Sequence, residues 1–435
     1  MKKIVFFGLG AVGSIMATCL AELSEKNQSR KTKFIFIVRN KKEAEQYLFK
    51  SRDLIKESNF VEVRDFAALF ADSGEYAKEL SDSNIFINAA TPEFNDEILK
   101  LSVKFGAPYC DLASDMYNEK TLQTLRFPQQ DFSKKLKEKN IFGLINAGIS
   151  PGVTNFLVGE KLLRLEKYNA SAKIESVHLY LFEQIESEQV IFSWAPKVAL
   201  DELEQKPRYI QGDSLITIEP FSNSTSHEFP HFKEPVAEYP IYQEELLSFH
   251  NSFPDIQSLK IFSGGSEIEL IKNLFQLNLL SKNDIACIAD NLSVERIVRM
   301  VLPGLQSSRK IEEMNASGVI KYAQFSAMAE IRLVLENPKG KSASIIETTG
   351  LSFHRYKELL KTPYSGATYV SYPTGIGAAV LLFYTHQIWK NNKELLSGII
   401  KTEDLASKMD ISVVDTIKRE MSSYMIDFVS HTHSL

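Results

Sequence analysis

Three glycines carry the first recognisable chemistry of this sequence. Gly8-Leu9-Gly10-Ala11-Val12-Gly13 has the spacing G-x-G-x-x-G and directly follows the apolar run Lys3 to Phe7. The first glycine of such a turn permits its tight bend. The second lets backbone approach a pyrophosphate, and the third lets a helix pack close to a strand. Phosphates then lie at the helix N-terminus, where free N–H groups and the helix dipole favour an anion. Gly8, Gly10, Ala11, Val12 and Gly13 are therefore the candidate phosphate-binding residues. The same stretch, with Lys2 and Lys3 ahead of an apolar run that reaches Cys19, also fits a secretion signal.

The elements around the glycines decide between these readings. Lys3 to Phe7 has strand character, and a helix from the glycine turn to about Ser24 follows. Lys33 to Val38, Phe60 to Asp65, Asn84 to Ala90, Pro108 to Leu112 and Ile141 to Ala147 are further apolar runs of strand length. Helical segments separate them: Lys41 to about Arg52, Ala67 to Glu79, Pro92 to Phe105 with Gly106 as its cap, and Phe132 to Asn140. Alternating strands and helices predict an α/β fold, a doubly wound parallel sheet of the Rossmann dinucleotide-binding type. Its ligand crevice lies beyond the carboxyl ends of the strands. Cleaving a leader would remove the central strand, so the opening is read as fold and Cys19 as a small core residue.

The end of the second strand selects the dinucleotide. An NAD site places an acid there for the ribose 2′-hydroxyl. Here the strand ends Val38-Arg39-Asn40-Lys41-Lys42, with no acid before Glu43. Arg39, together with Lys41, could instead meet a 2′-phosphate, Arg39 as a stacking, bidentate clamp; a solvated basic helix start is the competing role. NADP(H) is therefore favoured over NAD(H).

Composition narrows the classes. The 435 residues are 44% hydrophobic and 24% charged, which is ordinary for globular chains and large enough for roughly two or three domains. A net charge of −5 gives no basic field for a nucleic-acid backbone. Cys19, Cys110 and Cys287 are scattered and odd in number, so neither a disulfide framework nor a metal-ligand spacing is expected, and a reducing cytoplasm suits them. The uncharged runs Ile4 to Ala21 and Thr362 to Trp389 are broken by glycines and hydroxyls, so no membrane span is expected. His227 and His231 are four apart, but Pro230 forbids an ordinary helix between them, and no metal pair is expected. His431 and His433 read as part of a frayed tail.

Taken together, the motifs resemble the saccharopine dehydrogenase (glutamate-forming) family, which also contains carboxynorspermidine dehydrogenases. The matching pieces are GLGAVGS at 8–14, INAATPEFNDEILKLSVKFGAPYCDLAS at 87–114 and NAGISPGVTNFL at 146–157. FSWAPKVALDELEQKPRYIQGD at 192–213, YPTGIGAAVLL at 372–382 and GIIKTEDL at 398–405 come after them in the family's order. The resemblance implies a cofactor domain over 1–155 and an α/β substrate and dimerisation domain over 156–365. It also implies a segment over 366–435 that returns to the first domain, and a homodimer. Ser176 to Glu183, Gln189 to Trp194 and Met328 to Leu335 read as strands of the second domain. Ile268 to Leu280 reads as an amphipathic helix, and Phe221 to Pro240 as loop-rich.

The chemistry implied is reduction of an imine between an amine and a carbonyl compound, or its reverse, with hydride carried by the nicotinamide. Ala89, Ala90 and Thr91 end the fourth strand beside the cofactor's path, although Asn88 before them could simply cap the next helix. Pro151 begins a turn that either faces the nicotinamide or links domains. For proton handling, Asp111 with its neighbour Tyr109 is the first candidate, because it ends the fifth strand on the crevice side. A structural hydrogen bond or a helix N-cap is the competing role for Asp111. Trp194 and Lys197 lie in the family's substrate-side segment, and Arg208 follows; Trp194 could wall the pocket, and Lys197 or Arg208 could hold a substrate carboxylate. Thr374 reads as lying near a helix cap, with the small residues after it serving helix packing.

Two departures stand out against the family pattern. Ser150 replaces the aspartate of an Asp-Pro-Gly turn. The segment Lys260 to Gly265 lacks the arginine that family members acting on an amino-dicarboxylate carry. The expected partner is a small amine/carboxylate substrate, and both departures weigh against saccharopine itself. The alternative is a cofactor-binding regulator or scaffold with altered chemistry.

Overall fold

The computed structural model describes the chain apart from residues 29–31, 72–73, 116–118, 169–171, 194–199, 201–205, 213, 281–292, 337–341 and 435. Its first sheet has seven parallel strands: β1 (Lys3–Phe7), β2 (Lys33–Val38), β3 (Asn59–Glu62), β4 (Ile85–Asn88), β5 (Tyr109–Asp111), β6 (Phe142–Ile145) and β15 (Gly398–Lys401). Their order is β3-β2-β1-β4-β5-β6-β15. The central strands are buried on both faces, which explains their unbroken apolar runs. The order reverses between β1 and β4, and that switch point opens the crevice.

Four long helices position the site: α1 (Ala11–Gln28), α2 (Asn95–Phe105), α3 (Val153–Tyr168) and, much later in the chain, one over Ser371–Asn391. Gly106 ends α2 at φ 67°. The expected helix over Ala67 to Glu79 is broken into Phe66–Ala71 and Ala77–Leu80, and the one after β2 into Lys41–Glu45 and Arg52–Glu57. Both segments border the short outer strand β3 in sequence, at the edge of the sheet, where there is less apolar surface to hold a long helix.

The second sheet has nine strands. They are β7 (Ala172–Ser187), β8 (Arg208–Gln211), β9 (Ser214–Thr217), β10 (Thr225–His227), β11 (Val236–Ile241), β12 (Ser258–Gly265), β13 (Ile320–Glu336), β14 (Ser342–Phe353) and β16 (Asp427–Ser434). The main path runs β10-β11-β12-β7-β13-β14-β16, with β8 and β9 attached beside β12. Helices α4 (Glu244–Ser252) and α5 (Ser266–Gln276) flank β12. The helix over Ser371–Asn391 is α6, and Ile411–Ser423 is α7.

Beyond the two broken helices, the structure departs from the sequence reading at four further places. Gln189 to Ser193 is irregular, because β7 already ends at Ser187, and Trp194 lies outside the described residues. The loop-rich stretch Phe221 to Pro240 contains β10 and most of β11, short strands near the sheet edge. Thr374 is no cap: α6 starts at Ser371, and the Thr374 hydroxyl donates back to the Val370 carbonyl at 2.7 Å. His431 and His433 are not frayed, since β16 pairs with β14 from Ser434 to Asp427.

The segment beyond residue 370 serves both sheets. β15 pairs with β6, α6 packs on α1, and β16 completes the second sheet. Small residues make the helix contact: a Cβ on Gly375 would lie 2.7 Å from the Ile15 side chain and 3.0 Å from the Val12 carbonyl. Among the described residues, no helix is long and apolar enough to cross a membrane.

Candidate functional site

The crevice forms where β1 and β4 diverge. The Gly8 N–H donates to the Ile37 carbonyl at 2.9 Å, and the Ala89 N–H to the Phe7 carbonyl at 2.9 Å. These bonds fix the strand ends side by side. Gly8 has φ 86°, a left-handed conformation that favours glycine, and a Cβ there would stand 2.9 Å from Ala90. A Cβ on Gly13 would stand 2.9 Å from the Ala89 Cβ. Ala89 and Ala90 are thus the surface on which the turn closes. A Cβ on Gly10, by contrast, meets nothing within 4 Å. The helix behind it has no acid in its first turn, and its first N–H groups have no intrahelical acceptors. A cradle with two glycines packed shut and the middle one open fits a pyrophosphate.

Arg39 follows β2 and is exposed, without a hydrogen bond or ion pair among the described residues. Asn40 is engaged as a helix cap, accepting from the Glu43 N–H at 3.2 Å. The Lys41 ammonium lies 3.7 Å from Glu45 and over the Phe60 ring. Thr91 is exposed at the end of the β4 turn. Asn88 is not free for a ligand: its amide donates to the Thr91 carbonyl at 3.1 Å and to Asn95 Oδ1 at 2.7 Å, and its Oδ1 accepts from the Ala90 N–H at 3.0 Å.

Asp111 and Tyr109 end β5, and both are buried; Asp111 is 1% exposed. Asp111 Oδ1 accepts from the Asn146 N–H at 2.7 Å. Its Oδ2 stands 2.9 Å from the Tyr109 hydroxyl and 3.5 Å from Gln129 Nε2. The Tyr109 hydroxyl also reaches Asn95 Oδ1 at 2.8 Å. Burial pushes the Asp111 carboxyl up to about 7, against the pull of these hydrogen bonds. The pair faces inward and binds β5 to β6 and α2. Asp111 caps no helix; of the two competing roles weighed for it, the structural hydrogen bond is the one its contacts resemble.

A second carboxyl, invisible in the local pattern, reaches the end of β5 from helix α4. Glu244 Oε1 accepts from the Ser114 N–H at 3.2 Å, across 130 positions of chain. Glu244 is 9% exposed, and burial, with Asp115 adding to it, pushes its carboxyl up to about 7. Its neighbour Glu245 is fully buried and accepts from the Ser150 hydroxyl. The carboxylate absent at position 150 is thus matched by one delivered from α4. Pro151 follows Ser150 through a cis peptide bond, and Gly152 has φ 140°, with its N–H donating to Asn155 Oδ1 at 3.0 Å. Asn146 Nδ2, at the end of β6, is buried without a partner among the described residues.

Of the three expected substrate residues, only Arg208 is among the described residues. Trp194 and Lys197 lie outside the described residues. Arg208 lies on β8, its guanidinium 4.9 Å from the ring centroid of Tyr242, two residues before Glu244. Its Nη1 is buried and has no partner among the described residues.

No family model matches the sequence, and no curated protein matches it. Among solved structures, saccharopine dehydrogenase (L-Glu forming) from Saccharomyces cerevisiae aligns over 99% of this chain and 100% of its own, at TM-score 0.64 and 12% identity. The chain shares the fold of that saccharopine dehydrogenase. The correspondence takes in both sheets and the returning segment. A myo-inositol dehydrogenase from Corynebacterium glutamicum aligns over 99% of each chain at 8% identity and a TM-score of 0.37.

Proposed function

We propose that the protein is an NADP-dependent oxidoreductase of the saccharopine dehydrogenase type, reducing an imine or oxidising a secondary amine of an amino-acid or polyamine-like substrate. The observation that carries this reading is the open space at Gly10 between two glycines that are packed shut. Gly8, Gly10, Ala11, Val12 and Gly13 hold the pyrophosphate, Ala89, Ala90 and Thr91 flank it, and Pro151 closes the far wall. Arg39 takes the 2′-phosphate. When bound, the nicotinamide supplies or accepts hydride. The chain's own part is to orient the substrate and to handle protons.

Glu244 is the proposed proton-handling group. With Oε1 held by the Ser114 N–H, its proton resides on Oε2, and a carboxyl near 7 can give or take it at neutral pH. Asp111 positions the β5 and β6 ends beneath it. Arg208, with its unpartnered Nη1, is the proposed holder of a substrate carboxylate. Glu244→Gln should lower kcat by about a hundredfold and remove a pH-rate limb near 7. An unchanged kcat and pH profile assigns the proton to another group.

The test of the whole reading is titration with NADPH and NADH, followed by turnover of amines paired with keto acids or aldehydes. Binding of NADPH with turnover of one such pair is the expected result. Arg39→Asp should abolish the preference for NADPH; an unchanged preference removes Arg39 from the site. Ser150 and the arginine-free β12 favour one competing reading, a cofactor-binding regulator, which predicts binding without turnover. Failure to bind either dinucleotide overturns both.

A further inference from the structure

A cluster of metal-ligating side chains lies at the end of the second sheet's outer strands, where β14 meets β16. We propose that His231, His354 and Asp427 form a binding site for a divalent transition metal of the Zn2+ class. The three residues come from three separate segments: the connection between β10 and β11, the residue after β14, and the first residue of β16. Each offers one ligand atom, and the three atoms lie within 4.8 Å of one another.

The distances suit a single ion. Zn2+ takes imidazole nitrogens and carboxylate oxygens at about 2.0–2.1 Å in tetrahedral geometry, which separates two ligand atoms by about 3.3 Å. His354 Nδ1 and Asp427 Oδ2 are 3.3 Å apart. The His231 and His354 rings stack, their centroids 3.7 Å apart and their planes 22° from parallel, so a shared ion requires one ring to turn about its side-chain torsion. His354 Nδ1 is buried and makes no hydrogen bond among the described residues. His231 adopts φ 63°, an uncommon conformation for a residue with a side chain.

The surroundings support such an ion. The Arg355 guanidinium stands 3.7 Å from the other Asp427 oxygen, Oδ1, and so orients the carboxylate while leaving Oδ2 to the ion. Three protein ligands leave a fourth position for water. Two imidazoles and one carboxylate are nitrogen and oxygen donors of the kind that select Zn2+, Co2+ or Ni2+ over Mg2+ or Ca2+. The ion would tie the β10–β11 connection to the ends of β14 and β16.

Zinc titration of the full chain, followed by calorimetry and thermal unfolding, tests the assignment. The expected result is binding of one Zn2+ with a raised unfolding temperature. His231→Ala, His354→Ala and Asp427→Asn should each weaken affinity by at least about tenfold. His431 and His433, two apart on β16, are the obvious alternative ligands, and changing both to Ala should leave affinity within about twofold. Loss of binding on changing that pair, with the triad variants unaffected, overturns the proposal. So does wild-type protein that takes up none of Zn2+, Co2+ or Ni2+, a result that stands whether or not each variant folds.

Discussion

Gly10→Val should leave the protein folded and weaken NADPH binding by about a thousandfold, or ~4 kcal/mol. The two halves of this expectation come from separate observations. No atom lies within 4 Å of a Cβ at position 10, so the new side chain costs little in the free protein. The same empty space is where backbone must approach a pyrophosphate, and an isopropyl group fills it. Gly8 and Gly13 behave differently, because their added Cβ atoms meet Ala90 and Ala89 at 2.9 Å; substitutions there should disturb the fold itself. Thermal unfolding and fluorescence titration of Gly10→Val read the two halves independently. An affinity within about threefold of wild type would remove the glycine turn from the cofactor site.

Between about pH 4 and 7 Asp111 should make a contribution to stability that falls as pH rises, and Asp111→Asn should remove it. Burial raises the folded pKa of Asp111 from an ordinary 3.8 to about 7. In this interval the unfolded chain has lost its proton while the folded chain keeps it, so raising pH favours unfolding. The contribution is fully present below about pH 4 and is lost once pH passes about 7. Its size is on the order of 4 kcal/mol. Glu244 acts in the same direction over the same window. An asparagine keeps the bond from the Asn146 N–H and can offer its amide to the Tyr109 oxygen, whose proton turns to Asn95. Denaturant unfolding of both proteins between about pH 4 and 8 measures the difference. Equal slopes for wild type and variant would show that Asp111 is ionised across this range.

How much of this was legible in the sequence depends on how local each signal is. β1, β2, β4 and β6 are buried on both faces and stand out as unbroken apolar runs. The glycine turn is contiguous, and its glycines stand where the spacing puts them. β15 is four residues long and pairs with β6, which lies some 250 positions earlier, so no local pattern marks it as a strand. β16 lies at the edge of its sheet and carries polar residues on an outer strand, which made it resemble a tail. At the site, Asp111 was found because it ends a strand. Glu244 and Glu245 were missed because they belong to the start of a helix in the other half of the chain. Only tertiary folding sets them against Ser114 and Ser150.

The returning segment also has a consequence for biosynthesis. On a ribosome the chain emerges N-terminus first, and the first six strands of the cofactor sheet are available long before β15 and α6. Until those elements arrive, β6 presents an unpaired edge, and the face of α1 that receives Gly375 stays bare. Native pairing must therefore wait for contacts of very high sequence separation, which fold slowly. A stop codon between residues 366 and 371 would freeze the nascent protein in that state. Such a fragment should be an aggregating chaperone client rather than a smaller working domain.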